Sequence, residues 1–280
     1  MRMRAAVLLD LDEVTMIEPS FERLTDDAYT DLLVAVPAKE ARLLISENEW
    51  PLALALNDGK GWKVGSFLLR KPNELVIDKA DSLDAGIFQE ERKEWESAVR
   101  EYFSMRIAKE IQPALEDFNP KRVPLLADLI KERWGDPKGE ICIDAGCGSG
   151  AGAMALHQAG FMPLCFDNDA SLLSLGLRTG RLLPEETMLL DGTRATRFLA
   201  HAHFGVILMA GEIGPHNHVF WRKIVNEMLE LTDSTLITFG TEREARLVEG
   251  WAKERNRRVE VLENQRDLFY DGWVCDIRRA

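Results

Sequence analysis

Residues 141–152 read Ile-Cys-Ile-Asp-Ala-Gly-Cys-Gly-Ser-Gly-Ala-Gly. An apolar run, one carboxylate at Asp144, then glycines at 146, 148, 150 and 152 describe a buried strand turning sharply into a helix. Glycine is needed where the backbone takes positive φ or where a ligand approaches without a Cβ in the way. The helix that follows offers free N–H groups and the positive end of its dipole to the turn. The loop alone is not selective, because Gly146–Ala151 also satisfies the dinucleotide pattern GxGxxA.

Downstream the chain alternates short apolar runs with helical patterns. Strands are expected at EICIDAG, MPLCFD, TMLLDG, FGVILMAG and STLITFG, separated by helices at GAGAMALHQAG, ASLLSLGLRTG, TRATRFLAHA and HVFWRKIVNEMLEL. The last of these helices places Phe220, Ile224, Met228 and Leu231 on one face. Such alternation argues for a parallel sheet covered on both faces. After the helix TEREARLVEGWAKERN the rhythm breaks, since RRVEVLEN and GWVCDIRR leave no room for a crossover helix. That spacing suits an antiparallel hairpin.

Two further aspartates close strands. Asp167 ends MPLCFD, where a carboxylate can accept both hydrogen bonds of a ribose diol. Asp191-Gly192 ends TMLLDG, where a carboxylate can accept from an adenine amino group. Asp144 discriminates between ligands: a carboxylate there suits a cationic amino group and repels a pyrophosphate.

Taken together, D-x-G-x-G-x-G at 144–150, Asp167, Asp191-Gly192 and the closing hairpin resemble the class I S-adenosylmethionine-dependent methyltransferase family over residues 121–280. The resemblance implies an α/β, doubly wound, mostly parallel seven-stranded sheet of order 3-2-1-4-5-7-6. It also implies S-adenosylmethionine as cofactor, with Asp144, Gly146, Gly148 and Gly150 at the methionine end, Asp167 at the ribose, and Asp191 and Gly192 at the adenine. Asn168 departs from the family, which usually has an apolar residue against the adenine there.

Methyl transfer chiefly requires alignment and exclusion of water, with a base only where the nucleophile is protonated. Acceptor-side residues are expected after the fourth strand, at Ala210–His218, with Glu212 orienting the acceptor and His216 as base. The Asn/Asp-Pro-Pro-Tyr of amide and adenine N-methylating families is absent there, as is the Pro-Cys of cytosine C5-methylating enzymes. The readings left open are a methyltransferase, a non-catalytic S-adenosylmethionine-binding sensor or subunit, and an NAD-dependent oxidoreductase.

Residues 1–120 are expected to form a smaller α/β module that helps bind the acceptor. AAVLLDLDEVTMIEP, ARLLISE, WPLALAL, WKVGSFLLR and ELVIDKA read as strands, with a hairpin turn at Asn57-Asp58-Gly59. FQEERKEWESAVREYFSMRIAKEIQ reads as a helix stopped near Pro113, and VPLLADLIKERWG as a helix covering the sheet.

The net charge is −12, and residues 1–120 hold 15 Lys/Arg against 24 Asp/Glu. Without a basic arm, a small-molecule or protein methyl acceptor is favoured over nucleic acid. Cys142, Cys147, Cys165 and Cys275 form no disulfide framework. His201-x-His203 and His216-x-His218 lack a completing ligand pattern, so no metal is expected. The apolar N-terminal stretch is broken by Asp10, Asp12 and Glu13, and no apolar run is long enough for a membrane span. A cytoplasmic protein is expected.

Overall fold

In the computed structural model, which describes residues 2–116 and 118–280, the glycine loop lies at the centre of a seven-stranded sheet. Met1 and Asp117 lie outside the described residues. The chain divides into two units, Met1–Arg106 and Ile107–Ala280. The division thus falls before the 120/121 boundary expected from sequence. Ile107 sits in a cluster with Cys147, Ala153, Cys165, Leu173 and Leu182, which makes it part of the second unit's core.

The first unit contains α1 (Arg4–Leu8), β1 (Thr15–Met16), α2 (Ala28–Val34), β2 (Glu40–Ile45), β3 (Pro51–Asn57), β4 (Trp62–Ser66), α3 (Glu74–Ser82), β5 (Gly86–Gln89) and most of α4 (Arg92–Glu110). Its sheet has the order β1-β4-β3-β2-β5. The central hairpin pairs Asn57 with Trp62 in antiparallel register, as the Asn57-Asp58-Gly59 turn predicts. Two expected strands are helices instead. AAVLL is α1, a run of good helix formers with Ala5 and Ala6 fully buried, and Asp10 just after it takes a left-handed φ of 50°. ELVIDKA is α3, started by Asn73, whose side chain accepts from the Val76 N–H, and buried through Val76 and Ala80 one turn apart.

This unit buries a complete ion pair. Glu18 and the Arg70 guanidinium are bonded to each other, both side chains essentially without solvent contact. Glu18 Oε1 also accepts from the Ser66 N–H at 3.1 Å. Arg70 donates to Thr30 Oγ1 at 2.9 Å and to the Leu24 carbonyl at 3.2 Å.

The second unit contains α5 (Arg122–Trp134), β6 (Ile141–Ala145), α6 (Ala151–Ala159), β7 (Met162–Asp167), α7 (Ala170–Arg178), β8 (Thr187–Leu189), β9 (Ala202–Ile207), α8 (His218–Leu231), β10 (Thr232–Phe239), α9 (Glu242–Glu254), β11 (Arg257–Glu263) and β12 (Trp273–Arg279). TRATRFLAHA gives only a 3₁₀ segment, Gly192–Arg197. The sheet order is β11-β12-β10-β9-β6-β7-β8. Renumbered from β6, that is 3-2-1-4-5-7-6. Every pairing is parallel except those of β12, which runs antiparallel to both β10 and β11.

Side chains on β9 alternate between the two faces. Phe204 and Val206 join α5 and α6 in one core, where Trp134, Phe161 and Phe204 make ring contacts of 4.9–5.7 Å. Gly205 faces α8, and a Cβ there would lie 2.7 Å from Thr232 Cγ2 and 2.8 Å from Met228 Cε. Gly205→Ala is therefore expected to lower unfolding free energy by about 1–3 kcal/mol, because the Thr232 methyl cannot swing aside. Urea unfolding should show a lower midpoint at unchanged slope. Among the described residues, no helix is long and apolar enough to cross a membrane.

Candidate cofactor cleft

Asp144 is the fourth residue of β6, and its register partners are Cys165 on β7 and Val206 on β9. It therefore stands at the carboxyl ends of the central strands, where open α/β sheets bind ligands. The chain then turns through Gly146, Gly148 and Gly150 at φ of 71°, 53° and 99°. The Gly146 and Cys147 N–H groups both donate to the Phe166 carbonyl, at 2.9 and 3.1 Å, tying the turn to β7. Gly148 N–H donates to Asp167 Oδ2 at 2.9 Å, while Asp167 Oδ1 accepts from Asp169 N–H at 2.8 Å. Asp167 is thus fixed in place with lone pairs to spare.

A cleft of about 350 Å³ opens above this turn, lined by Asp144, Gly146, Gly148, Ser149, Gly152 and Asp167, among others. Asp144 is 1% exposed, and its Oδ2 has no hydrogen-bond partner in the protein. A Cβ on Gly152 would lie 2.6 Å from that same oxygen, so only glycine leaves room for the carboxylate beside the first turn of α6. Burial, reinforced by the charge of Asp167 and opposed by Arg122, lifts the Asp144 carboxyl to about 7. Asp167 is also raised, chiefly by burial, with backbone N–H donors holding it down.

The wall also takes residues that the sequence pattern does not mark, among them Phe118, Arg122, Leu172 and Tyr270. Arg122 grips buried Asp271 with both Nε and Nη2, at 2.6 and 2.9 Å, and lies over the Tyr270 ring. Arg181 stacks on Phe118 with its guanidinium carbon 4.4 Å from the ring centroid. No local motif announces these residues, since they arrive from the segment before α5 (Phe118), from α5 (Arg122), from α7 (Leu172) and from the loop before β12 (Tyr270), far apart in sequence.

The remaining expected site residues lie elsewhere. Gly150, Asn168, Asp191 and Gly192 do not line the cleft. Asn168 is exposed, so Leu172 supplies the apolar surface on that side. Asp191 caps the 3₁₀ segment, accepting from Thr193 N–H at 2.9 Å, and pairs with Arg194. Gly150 instead gives close packing, since its Cβ would meet Arg181 and Leu182 at 3.0 Å. Glu212 and His216 are exposed, also outside the cleft wall; the Glu212 carbonyl accepts from Asn217 at 2.8 Å. At the end of β9 the cleft meets Leu208 and Met209 instead, Met209 at a left-handed φ of 58°.

The histidine pairs are also separated. His201 and His203 both approach Asp233, at 3.3 and 3.1 Å, at the opposite end of the sheet. Among the described residues, no group of three or more His, Cys, Asp and Glu is placed to hold a metal ion.

No protein-family model matches the chain, and no curated protein does. Among solved structures it is similar to magnesium protoporphyrin IX methyltransferase of Synechocystis PCC 6803 with bound S-adenosylmethionine (15% identity, 66% of this chain and 97% of that chain covered, TM-score 0.47). It is also similar to a ribosomal protein L11 methylase of Lactobacillus delbrueckii subsp. bulgaricus (14%, 61% and 91%, 0.45). A third is an rRNA methylase of Streptococcus thermophilus (14%, 59% and 99%, 0.40). In its own strand order, its single antiparallel strand and its central glycine turn, the unit at 107–280 has the Rossmann-like fold of the class I S-adenosylmethionine-dependent methyltransferases.

Proposed function

We propose that the protein is an S-adenosylmethionine-dependent methyltransferase acting on a small molecule or a protein side chain rather than on RNA. The observation that carries this reading is Asp144, a buried carboxylate with one oxygen unsatisfied at the cleft. Burying an unpaired carboxylate is costly, and a fixed cation of the ligand relieves that cost. The α-ammonium of a methionine moiety is such a cation; a pyrophosphate is not, which disfavours the NAD-dependent reading. In this reading Asp167, which lines the cleft with lone pairs to spare, accepts from the ribose hydroxyls, and Gly146 and Gly148, with open space where a Cβ would stand, let the backbone approach the ligand. Leu172 and Phe118 give the cleft apolar walls, while Asp191, committed to its cap, has no adenine role in this reading.

When bound, S-adenosylmethionine would supply a methyl carbon activated by cationic sulfur, with Asp144 holding its ammonium and Asp167 its ribose. The chain's own share is to fix both ends of the cofactor and keep water out. Glu212 and His216 are exposed and off the cleft wall, so neither supplies a base to the cleft, which favours a non-catalytic cofactor-binding subunit as the second reading. Tritium transfer from labelled S-adenosylmethionine into host-cell extract separates the two. Enzyme-dependent label in an acceptor supports the methyltransferase, and cofactor binding without any transfer supports the subunit.

Binding should depend on pH with a definite sign. Asp144 is neutral below about 7 in the free protein, and a ligand ammonium favours its charged form. Affinity is therefore expected to rise with pH, by up to about tenfold per unit below 7, and to level off above it. Calorimetry at pH 6 in buffers of different ionisation enthalpy should show a proton released on binding.

A further inference from the structure

Arg122 is the one cation among the described residues lining the cleft, which it shares with Asp144 and Asp167. It is the first residue of α5, and Phe118 and Asn119 before it also line the wall, so this helix begins at the cleft. The first turn of α5 carries no acidic side chain, and its positive dipole end adds to the guanidinium charge.

The way the guanidinium is held decides what it can still bind. Asp271, whose side chain is 1% exposed, takes Nε and Nη2 side-on at 2.6 and 2.9 Å. Thr238 Oγ1 donates to the same carboxylate, and the Tyr270 ring centroid lies 5.7 Å from the guanidinium carbon. This grip aims the fork and uses two of its five donors. Among the described residues nothing bonds to Nη1. With the outer proton of Nη2 it forms a free edge, the geometry that takes a second carboxylate end-on. The Arg122 charge reaches Asp144 and opposes the rise of that carboxyl, yet Asp144 Oδ2 stays unpaired. One cleft thus holds a cation with a spare edge and a buried carboxylate with a spare oxygen.

Both are satisfied by a ligand that carries an ammonium and a carboxylate on the same carbon. Building on the methyl-donor reading of the cleft, we propose that Arg122 binds the α-carboxylate of S-adenosylmethionine while Asp144 takes the ammonium. The pair then selects donors with an intact amino-acid end. Because Asp271 fixes the guanidinium beforehand, little ordering of that side chain is left for binding to supply.

The test is calorimetric titration of the wild type, Arg122→Gln and Arg122→Lys with S-adenosylmethionine and with decarboxylated S-adenosylmethionine. The decarboxylated compound keeps the sulfonium and the ammonium, so it carries one more net positive charge. By charge alone, Asp144 and Asp167 favour it. The wild type is nevertheless expected to prefer the intact compound by about tenfold or more. Arg122→Gln should abolish that preference by weakening the intact compound only, and Arg122→Lys, which keeps the charge without the fork, should retain part of it. An Arg122 that only braces Asp271 would weaken both compounds by the same factor, and that result overturns the proposal. Equal wild-type affinity for the two compounds overturns it as well, without reference to any variant. In both cases S-adenosylmethionine binding by the wild type leaves the methyl-donor reading standing. Binding of neither compound by the wild type removes the reading and the proposal together.

Discussion

Asp144→Asn is expected to weaken S-adenosylmethionine binding about a hundredfold and, at the same time, to raise unfolding free energy at pH 8 by about 1–3 kcal/mol. The two effects share one cause. The carboxylate is buried, its Oδ2 has no partner, and burial has lifted it to about 7 from an ordinary 3.8. A carboxyl raised in the folded state adds stability below its unfolded value, and that stability is lost as pH rises through about 7. At pH 8 the free protein therefore carries the full cost of a buried charge, which the neutral amide avoids. The amide oxygen can still accept a hydrogen bond from an ammonium but carries no charge, so in the proposed function the ligand loses its charge-assisted partner. If the variant is both weaker in binding and less stable at pH 8, Asp144 is a structural group and not a held-open ligand site. Calorimetry and urea unfolding on the same samples decide between these.

Arg70→Met is expected to cost the first unit about 3–5 kcal/mol, because it leaves Glu18 buried without its cation. Glu18 is 0% exposed and already raised, chiefly by burial, with Arg70 opposing that rise. Without Arg70 the carboxyl moves up further, so the loss is greatest near pH 8 and shrinks as pH falls and the group takes a proton. Replacing both partners, Glu18→Leu/Arg70→Met, should recover much of the loss, since two apolar side chains of similar volume leave no stranded charge. Equilibrium unfolding in urea at pH 8 and pH 5 checks the sign. A loss that does not change with pH would mean that lost packing, not the stranded carboxylate, sets the cost.

The second unit was readable because its signals are local and its faces alternate. Asp144 and the glycines after it, the MPLCFD strand kept intact as β7, and the hairpin after α9 each fall within a few residues of expectation. The first unit was harder because short runs of Ala, Leu, Val and Ile fit either period. AAVLL has no alternation to tell strand from helix, and in ELVIDKA only Asn73, a helix-start signal just before it, separates the two. In the cleft, Asp144 and Asp167 were visible as strand-ending carboxylates. Asp191 looked equivalent, but its carboxylate is used by Thr193 and Arg194. Arg122 and Tyr270 were invisible because the Arg122–Asp271 pair joins residues 149 positions apart. Glu212 and His216 have suitable chemistry but no spacing signal that fixes their direction, and the loop after β9 leaves them exposed while Met209 lines the cleft.

Equilibrium calorimetry of the wild-type protein beside Asp167→Ala decides whether the cleft around Asp144 and Asp167 binds S-adenosylmethionine. One cofactor per chain is expected for the wild type and a loss of at least about tenfold for Asp167→Ala, because its carboxylate fixes the glycine turn and, in the proposed function, accepts from the ribose. Absence of S-adenosylmethionine binding by the wild type, or equal affinity in the variant, would contradict it.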